Sequence, residues 1–183
     1  MRVIAGTAKG MNLKGPEGSE FRPTADKVKE ALFSILGQRV IDARFIDLYA
    51  GSGAVGIEAL SRGAASSIFV ENKKDSLRLI EDNLNKTGLH REARIIGADV
   101  KKALKSMSAE NVIADLVYLD PPYNYPDLSA TVRSLFELGI VAEDGLVIAE
   151  HSSKNRNWAN AFNLLKQKKY GDTMLTIISN SKL

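Results

Sequence analysis

The chain has 183 residues and a mass of 19.9 kDa, with 44% hydrophobic and 26% charged residues, which suits one globular domain with a sizeable core. It contains no cysteine, which excludes disulfides, thiolate nucleophiles and zinc-thiolate sites. The sequence begins Met-Arg-Val-Ile-Ala and shows no long apolar run, so we expect a cytoplasmic protein with no membrane partner.

The net charge of +3 is unevenly distributed along the chain. Residues 1–44 carry 8 Lys and Arg against 5 Asp and Glu, residues 45–150 carry 11 against 16, and residues 151–183 carry 6 against 1. The basic ends indicate either ordinary solvated surface or contact with a polyanion. Charge alone does not separate these two interpretations.

The N-terminal region predicts a small hairpin followed by a loop. Residues 2–5 and 11–13 have the pattern of two short strands, and the turn between them begins and ends with glycine. The stretch 14–23 contains Gly and Pro without any period, which predicts a loop. We therefore expect one domain in which residues 1–42, comprising this hairpin, the loop and the helix after it, precede a cofactor-binding and catalytic core at 43–183.

A helix is predicted after this loop, with Thr24 as its N-cap and Gly37 at its end. Its buried face is apolar at helical spacing, whereas polar residues such as Lys27 and Lys29 are expected on the exposed face. Arg22 then lies beside Thr24 at the helix entrance, where a cation and a hydroxyl could meet a ligand or the hydroxyl could simply cap the helix.

From residue 44 onward, apolar strands alternate with helical segments. This alternation predicts an α/β fold whose mostly parallel sheet is covered by helices on both faces. The predicted strands are 44–48, 67–71, 94–97, 115–119 and 145–150, and the predicted helices are about 54–62, 73–86, 100–107 and, capped by Asp127, 128–138.

The C-terminal part departs from this alternation. Residues 158–169 predict a helix with Trp158, Ala161, Phe162 and Leu165 facing inward. A short turn then leads to 173–178, which is rich in β-branched residues and predicts an antiparallel closing strand.

A glycine-rich turn follows the first core strand. Gly51, Gly53 and Gly56 have the spacing G-x-G-x-x-G, in which the first permits a tight turn, the second lets the backbone approach a ligand, and the third lets helix pack on strand. The motif alone indicates only a nucleotide-type cofactor.

Four acids stand at or just after the predicted strand ends, where ligands bind in such sheets. Glu71 lies 20 residues beyond Gly51, the spacing at which a carboxylate can accept hydrogen bonds from ribose hydroxyls. Asp47 suits the ammonium group of an amino acid, and Asp99 suits an adenine amino group, although a helix cap would also explain Asp99. These features favour S-adenosylmethionine over a nicotinamide dinucleotide.

The fourth acid begins the stretch Asp120-Pro121-Pro122-Tyr123. Consecutive prolines stiffen a turn, which directs the Asp120 carboxylate and the Pro121 carbonyl outward as acceptors, and Tyr123 offers a ring for stacking. Such a site suits an exocyclic amine of a nucleobase, because the acceptors hold the amine and stabilise its growing positive charge. The alternative is a loop that proline merely stiffens.

These motifs together resemble the RsmD-type bacterial methyltransferases that modify guanine N2 in 16S ribosomal RNA. The matching residues include Val3-Ile4-Ala5-Gly6, Arg22-Pro23-Thr24, the stretch from Asp47 to Gly53, Glu71 and the stretch from Asp120 to Tyr123. The resemblance implies a seven-stranded sheet with an antiparallel last strand. Ala5 and Lys9 stand where family members often have glycine and arginine, respectively.

The resemblance also implies a site. The predicted catalytic residues are Asp120, Pro121, Pro122 and Tyr123. The predicted cofactor contacts are Asp47, Tyr49, Ala50, Gly51, Ser52, Gly53, Glu71, Asn72, Asp99, Val100 and Asp120. The charge distribution, and not the resemblance, is the basis for the predicted RNA contacts, which are Arg2, Lys9, Lys14, Arg22 and Thr24, with the basic segment around Lys166, Lys168 and Lys169 as the alternative.

We expect a monomer that uses S-adenosylmethionine, binds no metal and acts on ribosomal RNA, in a small-subunit particle. Three other functions stay open. They are an adenine-N6 or cytosine-N4 methyltransferase acting on DNA or RNA, a nicotinamide-dependent oxidoreductase, and a non-catalytic RNA-binding factor for ribosome assembly.

Overall fold

A computed structural model describes residues 1–16, 23–122, 128–155 and 157–180. Within these ranges, the helices are α1 Pro23–Leu36, α2 Ala54–Ser61, α3 Lys74–Thr87, α4 Val100–Ala109 and α5 Leu128–Glu137. The strands are β1 Arg44–Leu48, β2 Ser66–Glu71, β3 Ala93–Gly97, β4 Ala114–Leu119, β5 Val141–Ser152, β6 Asn163–Tyr170 and β7 Thr173–Ser179. Short 3-10 turns occupy Gly37–Val40 and Asn157–Ala161.

The seven strands form one sheet in the order β3-β2-β1-β4-β5-β7-β6. Strands β1 to β5 pair in parallel, whereas β7 is antiparallel to both of its neighbours. The direction of winding reverses between β1 and β4, which places a crevice at the carboxyl ends of the central strands. The predicted α/β architecture and its antiparallel last strand are confirmed.

The sheet carries a hydrophobic core on each face. On one face, Phe33 of α1 packs with Phe45 and Phe69 of the central strands. On the other face, the core is formed by α4 and α5 against alternate strand positions such as Leu119. Because both faces are covered, the central strands are nearly continuous apolar runs, and this pattern made β1 to β5 predictable.

The predicted helix at 158–169 is wrong. A 3-10 turn takes its first residues, and β6 takes the rest as an edge strand with a register shift between Leu164 and Lys166. Leu165, predicted to face inward, is 56% exposed at this irregularity. Leu, Lys and Gln are good helix formers, so their intrinsic preference hid a strand that pairing with β7 stabilises.

The predicted N-terminal hairpin is not formed by two strands. Residues 2 and 12 make one isolated antiparallel bridge, supported by backbone hydrogen bonds such as Val3 N–H to Met11 O at 2.9 Å. The turn at 6–10 packs instead on the end of α2, where Thr7 N–H donates to Ser61 O at 2.8 Å. Contacts with α2 therefore position this arm, which lacks a regular ladder.

Two predictions for α1 need correction. Thr24 lies inside α1 and does not precede it, because Pro23, which is favoured in the first turn, begins the helix. Lys29 is not on an exposed face, since only 4% of its surface is exposed. Its ammonium lies 3.2 Å from Glu58 Oε2 and donates to Arg2 O at 2.6 Å, so an ion pair compensates its burial.

Candidate active site

The turn after β1 has the conformation that its sequence predicts. Tyr49, Gly51 and Gly53 have φ angles of 62°, 57° and 76°, in the left-handed region. The third glycine serves packing, since a Cβ on Gly56 would lie 2.4 Å from the Phe69 ring. The turn thus brings backbone N–H groups and the start of α2 to the crevice.

Asp47 lies beneath this turn with only 2% of its surface exposed. Its Oδ2 accepts a hydrogen bond from Gly56 N–H at 2.9 Å. Burial raises the pKa of Asp47 to about 8, and the negative charge of Glu71 adds to this shift while the Gly56 hydrogen bond opposes it. Among the described residues, no cation forms an ion pair with Asp47, so a ligand ammonium would complete the site.

Glu71, at the end of β2, organises the backbone around the turn. Its Oε2 accepts from Gly51 N–H at 2.9 Å, and its Oε1 accepts from Asn72 N–H at 2.8 Å and Lys73 N–H at 3.0 Å. Each carboxylate oxygen can accept two hydrogen bonds, so Oε2 can still accept one from a ribose hydroxyl. Glu71 therefore combines a structural role with the predicted binding role.

Asp99 is the N-cap of α4, where its Oδ1 accepts from Lys101 N–H at 2.9 Å. The side chain is exposed, which leaves acceptor capacity facing solvent beside the crevice. The cap interpretation and the predicted adenine contact are thus compatible.

Val100 is the buried first residue of α4, and Ser52 is buried with its carbonyl accepting from Asn83 Nδ2 at 2.9 Å.

Asp120 follows the last residue of β4, and Glu150 lies beside it, two residues before the end of β5. They directly follow the paired residues Leu119 and Ala149, so their Cα atoms lie about 5 Å apart in ideal geometry. Both line one pocket, whose other walls include Pro121, Pro122, Leu128, His151, Ser152 and Asn155. The carboxyl edge therefore holds an acid at each of five neighbouring strands.

Asp120 lies at the mouth of this pocket, accessible to solvent yet surrounded by protein. Its pKa is raised well above the usual range, first by the loss of hydration and then by the negative charges of Glu150 and Asp47. Burial likewise raises the pKa of Glu150, although a hydrogen bond from Tyr118 opposes that shift. Two negative carboxylates in one pocket repel each other, so N–H donors of a ligand placed between them would stabilise both.

Tyr118 lies beneath the carboxylate pair Asp120 and Glu150 and contacts Glu150. Its side chain is buried, and its hydroxyl donates to Glu150 Oε2 at 2.5 Å. Beside it, burial lowers the pKa of His151, whose ring nitrogens lie 2.9 Å from Ser152 O and 2.8 Å from Thr176 Oγ1. The pocket thus presents mainly hydrogen-bond acceptors.

The predicted RNA contacts are not brought together. Lys9 lies in the 6–10 turn on the C-terminal end of α2, hence at the amino edge of the sheet, opposite the crevice. Lys14 is held through its backbone by Asn83, and its ammonium pairs with Asp82 at 2.8 Å. Arg2 is exposed on the arm. Arg22, Tyr123 and the Asp127 cap lie outside the described residues, and so does the side chain of Thr24.

Sequence reasoning missed Glu150 and Glu58. Glu150 ends the strand predicted at 145–150, although β5 itself continues to Ser152, so the rule that singled out the other acids would have found it. Glu58 lies within α2 and is fully buried, and it binds the N-terminal arm through the Ile4 and Ala5 N–H groups at 2.8 and 3.0 Å. A single acid in an apolar helix was its only sequence signal.

The chain is similar in sequence to known proteins over most of its length. The family model described as conserved hypothetical protein 95 matches residues 1–179. The chain is 39% identical over 151 residues to YlbH of Bacillus subtilis, named as a candidate rRNA methyltransferase, with 82% of each protein covered. It is 32% identical over 157 residues to ribosomal RNA small subunit methyltransferase D of Escherichia coli, covering 85% of this chain and 76% of that protein.

Among solved structures, a hypothetical protein of Thermus thermophilus superposes with a TM-score of 0.83 at 31% identity, covering 98% of this chain and 99% of that one. The fold, the glycine turn and the strand-end acids define an S-adenosylmethionine-dependent methyltransferase. Within that class, the chain belongs to the conserved hypothetical protein 95 family, which confirms the RsmD-type resemblance. No helix in the described ranges is long and apolar enough to cross a membrane.

Proposed function

We propose that this protein transfers a methyl group from S-adenosylmethionine to the exocyclic N2 amine of a guanine in 16S ribosomal RNA, within a small-subunit particle. The observation that carries the guanine assignment is the carboxylate pair Asp120 and Glu150 in one pocket. The relatives named as rRNA methyltransferases support the RNA substrate.

The cofactor assignment rests on three acids of the crevice. S-adenosylmethionine supplies an electrophilic methyl group on a sulfonium. Asp47 would hold its ammonium, since the buried carboxylate has no cation partner among the described residues. Glu71 would accept from the ribose hydroxyls and Asp99 from the adenine amino group, each with acceptor capacity left after its own backbone hydrogen bonds.

The hydrogen-bonding edge of each base explains why two carboxylates favour guanine. Guanine presents three N–H hydrogens side by side, one on N1 and two on N2. Asp120 can accept from N2 while Glu150 accepts from N1. Adenine and cytosine place a ring nitrogen acceptor beside their amine, and this lone pair would face the second carboxylate unless that group carried a proton.

Tyr118 is a positioning residue in this proposal. Its hydroxyl occupies one lone pair of Glu150 and fixes the carboxylate, while the other oxygen stays able to accept from a base. Burial raises the pKa of Tyr118, so the phenol remains a donor throughout the neutral range.

Asp120 has two tasks at the amine. As an acceptor on an N2 hydrogen it orients the nitrogen, and its negative charge stabilises the positive charge that grows there during transfer. The nitrogen gains the methyl group and loses one proton, which Asp120 is placed to accept. Burial and the charges of Glu150 and Asp47 raise the pKa of Asp120, which makes its carboxylate a stronger base than that of a free aspartate.

The decisive experiment follows a labelled methyl group from S-adenosylmethionine into unmethylated small-subunit particles and into naked 16S rRNA. The RNA is then digested and its nucleosides are separated. Label in N2-methylguanosine is the expected result. Label in N6-methyladenosine or N4-methylcytidine, or no label in either substrate, would contradict the proposal.

A further inference from the structure

We propose that the hairpin of β6 and β7 forms the surface that binds the RNA phosphates next to the target base, chiefly through Lys168 and Lys169 with Lys154 beside them. This inference rests on the proposed function and adds to it the path of the RNA. It replaces the N-terminal arm, which the sequence pattern favoured, as the RNA-binding element.

Strand register places these lysines beside the pocket. Glu150 of β5 pairs with Leu175 of β7, and Leu175 pairs with Lys168 of β6. Since neighbouring strands lie about 4.8 Å apart, the Lys168 Cα is about 10 Å from that of Glu150, in the same row and on the same face. Lys169 occupies the row of His151 in the same way. Successive side chains of a strand point to opposite faces, so Lys168 lies on the face of Glu150 and Lys169 on the face of His151, and both Glu150 and His151 line the pocket. An RNA strand that inserts a base beside Glu150 therefore passes Lys168, with Lys169 at the same margin of the sheet on its other face.

A backbone contact joins the hairpin to the pocket wall. Ser153 N–H, in the turn after β5, donates to Asp172 O in the turn between β6 and β7 at 2.7 Å. Lys154 follows directly and is exposed. This contact holds the turn that carries Lys154 against the end of the hairpin, whose strand β6 carries Lys168 and Lys169, and the hairpin has one carboxylate of its own, Asp172.

The charges of these lysines are available to a ligand. Lys154, Lys168 and Lys169 are exposed, and in the described ranges no carboxylate lies within ion-pairing distance of them. Lys168 Nζ lies 5.4 Å from the centre of the Tyr170 ring, which limits where that side chain can go. Lys14, by contrast, already pairs with Asp82.

The acidic crevice explains why cations are needed at its margin. Its strand-end carboxylates attract an ammonium and an amine but repel phosphates, so the RNA backbone must lie outside the crevice. Lys9 cannot bind phosphates at this margin of the crevice. It lies beyond the far end of α2, a helix of eight residues and therefore about 12 Å long, at the opposite edge of the sheet.

The test compares variants that remove two positive charges each. The double variant Lys168→Ala with Lys169→Ala should bind unmethylated 16S rRNA more weakly. The negative slope of log affinity against log salt concentration should become shallower by about 2, about one for each lost phosphate contact. Lys86→Ala with Arg91→Ala, exposed residues at the amino edge, should leave both quantities unchanged. Lys168→Arg with Lys169→Arg should bind as the parent does.

Kinetics and cofactor binding complete the test. The alanine pair should raise the KM for RNA while kcat and calorimetric S-adenosylmethionine affinity stay at parental values. Parental RNA affinity and salt slope in the alanine pair, or the same loss in the amino-edge pair, would overturn the inference, as would a loss confined to Lys9→Ala. Failure of the parent itself to methylate rRNA would instead reject the proposed function, because binding and transfer are measured separately.

Discussion

Lys29 Nζ lies 3.2 Å from Glu58 Oε2, and these side chains are only 4% and 0% exposed. Glu58 also accepts from the N–H groups of Ile4 and Ala5 and from Arg62 Nε at 2.7 Å. One buried carboxylate therefore joins the N-terminal arm, α1 and α2. The N-terminal arm belongs to the core through this group, which explains its fixed position on the sheet's amino edge.

Replacing Glu58 with alanine should destabilise the protein by about 3–5 kcal/mol, because it leaves Lys29 charged and buried without a carboxylate to balance its charge. Urea unfolding followed by circular dichroism measures the change. The matched control is Asp82→Ala, which breaks an exposed pair and should cost less than about 1 kcal/mol. Equal losses in the two variants would show that burial does not strengthen the Glu58 contacts.

Gly6→Ala should be much more destabilising than Gly10→Ala, although both glycines have a φ of 84°. The left-handed backbone costs either alanine about 1 kcal/mol. Only at Gly6 would the new Cβ also meet backbone, 1.6 Å from Ser61 O, while the space around Gly10 is open. Thermal unfolding compares the two, and limited proteolysis should show an exposed arm in Gly6→Ala alone. Similar stability of the two variants would contradict the docking of the 6–10 turn.

Asp47 should make stability depend on pH in a definite direction. Burial raises its pKa from 3.8 to about 8, so between these values the folded protein holds a proton that the unfolded chain has lost. The free energy of unfolding contributed by this group is therefore highest below about pH 4 and declines until about pH 8. Urea unfolding across this range should show the decline relative to Asp47→Asn, which keeps an acceptor for Gly56. Parallel pH profiles would contradict the raised pKa.

Asp120 and Glu150 should be separable by function. Asp120→Ala should nearly abolish methyl transfer while calorimetry shows S-adenosylmethionine affinity largely retained, because the amine loses its acceptor and base. Glu150→Gln should impair transfer to guanine, since glutamine has one acceptor oxygen where glutamate has two, and the Tyr118 hydroxyl and guanine N1–H would compete for it. Ser108→Ala, which removes a contact to Leu138 O far from the pocket, serves as the control. Full transfer activity in Asp120→Ala would reject the mechanism.

The sequence predicted the fold where local pattern and tertiary environment agree. Strands β1, β2, β4 and the 145–149 part of β5 are mostly buried on both faces, so their apolar runs and the glycines and acids after them mark their ends, and β3 was recognised from a short apolar run although it is a partly exposed edge strand. The prediction for β6 was wrong because an edge strand with Lys166, Lys168 and Lys169 has the composition of an exposed helix. Pairing with β7, a contact that local propensity does not contain, decides its structure.

Some positions around the candidate site could likewise be predicted from the sequence, and others could not. Asp47, Glu71, Asp99 and Asp120 could be found because parallel strands bring their carboxyl ends together, and this rule is independent of side-chain detail. Lys29 could not be placed, since its burial depends on Glu58, 29 residues later in the chain. The positions of Lys9 and Lys168 at opposite edges of the sheet likewise follow only from packing and register.

The position of β6 at the edge of the sheet has a consequence for solubility. Among the strands that the structure describes, none pairs with the outer side of β6, and an edge of this kind can pair with another copy of the chain. Its lysines and the irregularity at Leu165 oppose that pairing through repulsion and a distorted ladder. Neutralising this strand would therefore promote self-association, so variants made there need to be kept dilute and checked for aggregation by light scattering.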